Sequence, residues 1–327
     1  FHHWHSPRRY GDWCDPVWFH LCQTRRILSV DRDGCDHYCC CGPGPMATKT
    51  YSFAIGEEAF LMDNVTTNDQ SNVILETRGL TKYYGGVHAL EGANFTLRKG
   101  EHVAIVGDNG AGKSTFVRQI TGVEQRTRGE IIFDGRSVNF TGPLEAREAG
   151  IETVFQTLAL ADDLDVPDNI FLGREITKFD WLGPFRILDY KGMRQATIDG
   201  LNRTAVKIPN IRNTIRNMSG GQRQCVAIAR TASFHSKLTI MDEPTAALGV
   251  QETAQVEAII KALKESGEPL ILISHNMRQV FDLVDRIIVF RRGRICGNLR
   301  RDETDPQDVV AYITGAKTGK EYEATAL

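Results

Sequence analysis

No stretch of 18 consecutive apolar residues occurs in this 327-residue chain, so no segment reads as a membrane-spanning helix. Positive charge is not in excess. The 39 Lys and Arg stand against 41 Asp and Glu, a formal net charge of −2, without the basic footprint of a nucleic-acid binder. No nucleic-acid partner is therefore expected. No internal repeat is visible, so any unit found is present once. Cysteine is nearly missing after residue 41, where only Cys225 and Cys296 occur. The length suits one large domain or two modest ones, with an ample core.

The remaining cysteines crowd the start. Cys14, Cys22, Cys35, Cys39, Cys40 and Cys41 lie there beside His2, His3, His5, His20 and His37. Trp4, Trp13 and Trp18 share the segment, while no Lys precedes Lys49 and no Glu precedes Glu57. The lack of a continuous apolar run argues against a secretory signal. A small zinc module is one reading. No C-x₂-C pair recurs at finger spacing, however, and three adjacent cysteines do not easily share one tetrahedral ion. The reading we favour takes residues 1–45 as translated upstream sequence, with the natural start at Met46 or Met62. A peptide from residues 1–45 in natural-source protein would overturn it. Residues 46–72 read as a flexible leader, which makes 1–72 a disordered or non-native extension.

Gly107-Asp108-Asn109-Gly110-Ala111-Gly112-Lys113-Ser114-Thr115 has the spacing G-x-x-x-x-G-K-[ST] of a phosphate cradle. Val103-Ala104-Ile105-Val106 before it reads as a buried parallel strand. The three glycines permit backbone conformations in which successive N–H groups point at phosphate oxygens. Lys113 would reach the β- and γ-phosphates and the Ser114 hydroxyl a Mg²⁺ ion. Ser114 to Thr121 reads as a helix whose N-terminus adds to the anion site.

Along the rest of the chain, 73–77 and 93–97 read as strands about the turn signal Gly85-Gly86. Residues 130–133 form another strand before Asp134-Gly135. From Leu164 to Asn217 helical stretches are expected, notably over 190–206, broken at Gly183-Pro184 and Ile208-Pro209. Leu238-Thr239-Ile240-Met241 and Leu270-Ile271-Leu272-Ile273 read as buried strands. Between them Val256, Ile259, Ile260 and Leu263 follow helical spacing. Strand, crossover helix and strand imply a parallel sheet. Residues 305–314 close the fold as a helix. Asp242-Glu243, at the end of one apolar strand, falls at the carboxyl edge where such sheets bind ligands.

The pentapeptide Met218-Ser219-Gly220-Gly221-Gln222 narrows the class. With the phosphate loop it resembles the ATPase subunit of an ABC (ATP-binding cassette) transporter, over roughly residues 73–315. The resemblance implies an α/β P-loop NTPase fold: a mostly parallel core sheet, an antiparallel β subdomain and an inserted α-helical subdomain at about 157–217. Residues 316–327 would be a tail. It implies ATP and Mg²⁺ as ligands, with Asp242 on the ion, Glu243 as catalytic base, Gln156 sensing the ion and water, and His275 as the switch contacting Glu243 and the γ-phosphate. Tyr84 resembles the aromatic that stacks on adenine, with Tyr83 as the alternative. Ser219, Gly220, Gly221 and Gln222 would open a helix and close over the nucleotide held by Lys113 of a second copy, forming a homodimer. Ala246 and Gly249 stand where many cassettes have a hydroxyl and a carboxylate, as in carbohydrate importers. The segment Leu160 to Glu175 resembles simple-sugar importer ATPases of the ribose, xylose and fructose type.

Taken together, these resemblances imply an importer ATPase for a monosaccharide. It would sit peripherally on the cytoplasmic face of the plasma (inner) membrane, with separate permease subunits and, indirectly, a periplasmic or extracellular sugar-binding protein. A transporter ATPase for another solute is the first alternative. A non-transport cassette is the second, opposed by the single cassette and by the lack of long coiled-coil insertions.

Overall fold

The computed structural model describes residues 72–317 apart from 179–180, 182–185, 204–205, 207, 235 and 247. The readings made for residues 1–71 and for the tail beyond 317 lie outside the described residues.

Strands β1 (Val73–Tyr84) and β2 (Val87–Arg98) form a hairpin about Gly85-Gly86. Strand β3 (His102–Gly107) leads into α1 (Lys113–Ile120). Next come β4 (Arg128–Phe133), β5 (Arg136–Val138), α2 (Pro143–Ala149) and β6 (Ile151–Val154). Helix α3 (Val166–Phe171), the two-residue strands β7 (Thr177–Lys178) and β8 (Ile187–Leu188), and α4 (Tyr190–Arg203) make the insert. Helix α5 (Gly220–Ala232) returns the chain to β9 (Leu238–Asp242). The remainder is α6 (Val250–Glu265), β10 (Leu270–Ile273), α7 (Met277–Leu283), β11 (Arg286–Arg291), β12 (Arg294–Arg300) and α8 (Pro306–Thr314).

The core sheet runs β12-β11-β3-β10-β9-β6. Every neighbouring pair is parallel except β11 with β12. A smaller antiparallel sheet has the order β2-β1-β4-β5. Its register sets Leu75 opposite both Leu97 and Phe133, all buried. At the β4–β5 turn Asp134 and Gly135 both take positive φ, 49° and 73°, as a two-residue hairpin requires.

Period-two alternation divides the core. Ala104, Val106, Met241, Leu272 and Val289 face a cluster with α3 to α8, joined by Ile170, Met193, Val226 and Ile260. Val103, Ile105, Ile240, Ile271 and Phe290 face the other way, onto α1, α2 and the small sheet. Full burial of each Val, Leu, Ile, Met or Phe among them contributes roughly 1.5–3 kcal/mol. Phe116 of α1 joins the layers, its ring centroid 5.5 Å from Phe95 and 5.3 Å from Phe290.

The expected strands and crossover helix are present, and Val256, Ile259, Ile260 and Leu263 are buried along α6. The hairpin strands run further than expected, because pairing continues to Tyr84 opposite Val87. Strands β11 and β12 and helices α2 and α7 were not anticipated. The insert is less helical than expected: β7 and β8 pair within it, tied by Lys178 Nζ and Asp189 Oδ1 at 3.1 Å. Among the described residues no helix is long and apolar enough to cross a membrane.

Candidate functional site

Parallel register levels the strand ends. Ile273 pairs with both Ile105 and Asp242, and Val154 pairs with Met241. The loops leaving β3, β6, β9 and β10 therefore open at one edge. They carry the phosphate loop, Gln156, Asp242-Glu243 and His275, which line one cleft of about 600 Å³ with Ala89.

The loop glycines at 107 and 112 are demanded by space as well as by backbone angle. At Gly107, φ +150°, a Cβ would lie 2.3 Å from the Phe290 carbonyl oxygen. At Gly112, φ +104°, it would lie 2.7 Å from that of Ala89. Behind the loop, the Gly293 amide donates to the Ala111 carbonyl at 2.9 Å. The β11–β12 turn thus buttresses the cradle, a contact with no signal in the local sequence.

Helix α1 begins at Gly112 without a side-chain cap, so its first amides are open to an anion from the cleft. Lys113 is mostly buried, and its Nζ donates to the carbonyls of Gly107 and Asp108 at 2.7 and 2.9 Å. Burial pulls its pKa down, while Glu243 and Asp242 oppose the shift.

Asp242 has its pKa raised by burial first and by the Glu243 charge second, with Lys113 and Arg118 opposing. Glu243 adopts a left-handed φ of 50°, held where its amide donates to the Ile273 carbonyl at 2.9 Å. Its Oε2 accepts from Gln156 Nε2 at 3.4 Å, and its Oε1 lies 3.3 Å from His275 Nδ1.

Ser114, Gln156 and Asp242 also line a recess of about 300 Å³ adjoining the cleft. They offer a hydroxyl, an amide oxygen and a carboxylate, the hard donors Mg²⁺ prefers. Among the described residues no group of three His, Cys, Asp or Glu is placed to hold an ion. A sparse protein set completed by phosphate oxygens fits Mg²⁺, which is usually held by few protein ligands.

Neither tyrosine lines the cleft. Tyr84 is half-exposed, its hydroxyl bonded to Glu124 and its ring 5.0 Å beneath Lys82 Nζ. Burial and Glu124 raise its pKa, and a bond with Thr115 opposes them. The Tyr83 ring packs on His88 at 4.1 Å.

Ser219, Gly220, Gly221 and Gln222 do not line the cleft either. Ser219 caps α5 in a reciprocal box: its Oγ accepts from the Gln222 amide at 3.3 Å, and Gln222 Oε1 accepts from the Ser219 amide at 3.0 Å. A Cβ on Gly221 would lie 2.2 Å from Glu252 Cγ, so α5 and α6 need glycine to approach here. Met218 is buried in the helical-side cluster.

The family model "ABC transporter" matches residues 90–246. Over 246 residues the chain is 48% identical to the fructose import ATP-binding protein FrcA of Rhizobium meliloti, covering 75% of this chain and 95% of that protein. It is 41% identical over 247 residues to the xylose/arabinose import ATP-binding protein XylG of Sulfolobus acidocaldarius, covering 76% and 96%. Against the ribose import ATP-binding protein RbsA 2 of Rhizobium johnstonii it is 37% identical, covering 74% of this chain and 46% of that longer protein. Among solved structures, the ADP conformation of the ATP-binding cassette MJ1267 superposes with a TM-score of 0.64 at 26% identity, over 74% of this chain and 99% of that one. The dimeric MJ0796 cassette bound to ADP and Pi shares the fold, with a TM-score of 0.60 at 24% identity over 70% and 99%.

Proposed function

The chain belongs to the ABC transporter family of ATP-binding proteins, and on that premise we propose that it is the ATP-hydrolysing subunit of a monosaccharide importer. As a member of that family it binds and hydrolyses ATP. The observation that carries the reading further is the convergence of Lys113, Gln156, Asp242, Glu243 and His275 on one cleft.

In this reading the loop amides and Lys113 take the β- and γ-phosphates, Lys113 exchanging its two carbonyl contacts for charged ones. Ser114, Asp242 and Gln156 would hold Mg²⁺, which when bound neutralises charge on the phosphate oxygens. Glu243 accepts the proton of the attacking water as the water oxygen bonds to the γ-phosphorus. The bond to the β–γ bridging oxygen breaks, giving ADP and phosphate. His275 and Gln156 orient Glu243 from its two sides, and Tyr84 is the candidate adenine contact. Glu243→Gln should abolish steady-state hydrolysis while ATP binding persists. Undiminished hydrolysis by that variant would overturn the assignment.

The assembly proposed is a homodimer in which Ser219 to Gln222 of one copy complete the cleft of the other. Its support is that these residues stay outside their own cleft, and that a cassette of the same fold is described as dimeric. Mixing Lys113→Ala and Ser219→Ala chains should restore ATP binding to about one composite site per heterodimer; no recovery would contradict it. Separate permeases and an external sugar-binding protein complete the importer, and this subunit works peripherally on the cytoplasmic face of the plasma (inner) membrane. Residues 73–315 are proposed as the ATPase domain, with 157–217 as its insert and 316–327 as a tail. The choice of a monosaccharide rests on the fructose, xylose/arabinose and ribose importers it resembles. Deleting the gene should remove uptake of a labelled hexose or pentose; intact uptake of all of them would refute the sugar.

A further inference from the structure

Asn276-Met277-Arg278-Gln279 has the pattern of a capping box, in which an N-cap side chain takes the N3 amide and an N3 Gln reaches back to the N-cap amide. At Ser219 and Gln222 the same pattern closes fully. At α7 only half of it forms. Asn276 Oδ1 accepts from the Gln279 amide at 3.4 Å, but the Asn276 amide donates to Ser274 Oγ at 3.1 Å. The Gln279 side chain turns away and accepts from Thr245 Oγ1 at 2.8 Å.

This arrangement is costly. Gln279 is 3% exposed, and its Nε2 has no hydrogen-bond partner. Buried amides are rarely left so, and local rules are broken mostly where function requires it. The two ends of the bond lie on the segments that carry the catalytic pair: Thr245 follows Glu243 at the end of β9, and Gln279 sits one turn into the helix after His275.

We propose that Gln279 is a positioning residue for hydrolysis: by taking the Thr245 hydroxyl it fixes the spacing and orientation of Glu243 and His275. The inference rests on the reading of Glu243 as base. Glu243 holds a left-handed backbone, a conformation that persists in a non-glycine residue only when its surroundings over-determine it. Its amide is fixed to Ile273 and its carbonyl to the Ala246 amide, at 2.9 and 3.1 Å. Those bonds fix the peptide groups on either side of Glu243. The Thr245–Gln279 bond adds a side-chain tie beyond the sheet edge, between the loop of Glu243 and the helix that follows His275. The His275 side chain is itself largely exposed, so its direction depends on how α7 is seated.

The test is steady-state ATP hydrolysis by the purified full chain, with Gln279→Leu, Thr245→Val, the double variant and Thr245→Ser. Misplacing a reacting group slightly costs one to two orders of magnitude in rate. Gln279→Leu and Thr245→Val should each lower kcat about tenfold or more and leave KM for ATP within about twofold, since the phosphate loop is untouched. The double variant should be no slower than either, and Thr245→Ser should keep the wild-type rate. Unchanged kcat in Thr245→Val, additive losses in the double variant, or equal losses of ATP binding and turnover would each overturn the proposal. If Gln279→Leu does not fold, Thr245→Val and Thr245→Ser still decide it, because they alter the same bond from its less buried end. Glu243→Gln runs alongside: hydrolysis surviving there overturns the assignment of the base, whereas its loss with normal rates in Thr245→Val overturns only the positioning role.

Discussion

Glu243 is held from both sides by side chains that come from other loops: Gln156 Nε2 lies 3.4 Å from one carboxylate oxygen and His275 Nδ1 3.3 Å from the other. Neither contact is local, since the three residues follow β6, β9 and β10. A carboxylate so bracketed has its direction set before any substrate arrives.

Removing one bracket should therefore lower turnover more than binding. His275→Ala is expected to cut kcat by about 10²-fold, in the range for losing a positioned acid–base partner, with ATP affinity nearly unchanged. Binding of a fluorescent ATP analogue and single-turnover hydrolysis would separate the two. A loss confined to affinity would contradict it.

The cradle should tolerate no side chain at its first glycine. Gly107→Ala places a methyl group 2.3 Å from the Phe290 carbonyl oxygen, so β11 or the loop must move. Nucleotide binding is expected to fall at least tenfold, with destabilisation of about 1–3 kcal/mol. Thermal melts with and without ATP would show the ligand-induced shift shrinking. A normal shift would contradict the tight packing.

His102 predicts a pH effect away from the cleft. Its ring is buried, Nε2 donates to the Glu268 carbonyl at 3.0 Å, and Nδ1 has no hydrogen-bond partner. Burial, aided by Lys264, pulls its pKa below the ordinary value near 6.5, against the hydrogen bond to Glu268 and the charge of Asp285. The unfolded chain thus binds the proton more readily. This contribution is whole above about pH 6.5 and is lost as pH falls from there through the folded pKa. Urea midpoints should fall between pH 7 and 5. His102→Gln, which keeps a donor but does not titrate, should flatten that part of the slope; an unchanged slope would contradict it.

Glu152 of β6 is buried against Arg174, which follows α3, with Arg147 Nε at 3.9 Å. Arg174 also lies over the Phe234 ring at 4.3 Å. Arg174→Met leaves the carboxylate largely uncompensated and should destabilise by about 3 kcal/mol. Pairing it with Glu152→Leu should recover part of that loss, because an apolar pair of similar volume can replace a buried ion pair. Chemical denaturation of both variants checks it; a double variant less stable than Arg174→Met would contradict it.

The readable parts of the chain were those whose chemistry is local or whose period is strict. The glycine spacing of 107–112 and the apolar runs of β3, β9 and β10 are of this kind, and parallel pairing then brought Gln156, Glu243 and His275 to one edge. The run Ile287-Ile288-Val289-Phe290 of β11 carries the same signal, whereas the buttress from Gly293 has no local mark and depends on a distant partner. Tyr84, expected to stack on adenine, contacts Glu124 and Lys82 on the surface around it, partners that its own place in the sequence does not reveal. The cap pattern at Asn276 misleads in the same way, because Thr245 draws Gln279 off.

The alternation of side chains along β3, β9, β10 and β11 has a mechanical consequence. With the insert and α5 packed on one face and the phosphate-loop helix on the other, the sheet works as a bulkhead. The aromatic contacts that seat α1 lie wholly on one side of it. The two compartments border each other at the rim, where the strands end and Gln156, Glu243 and His275 meet.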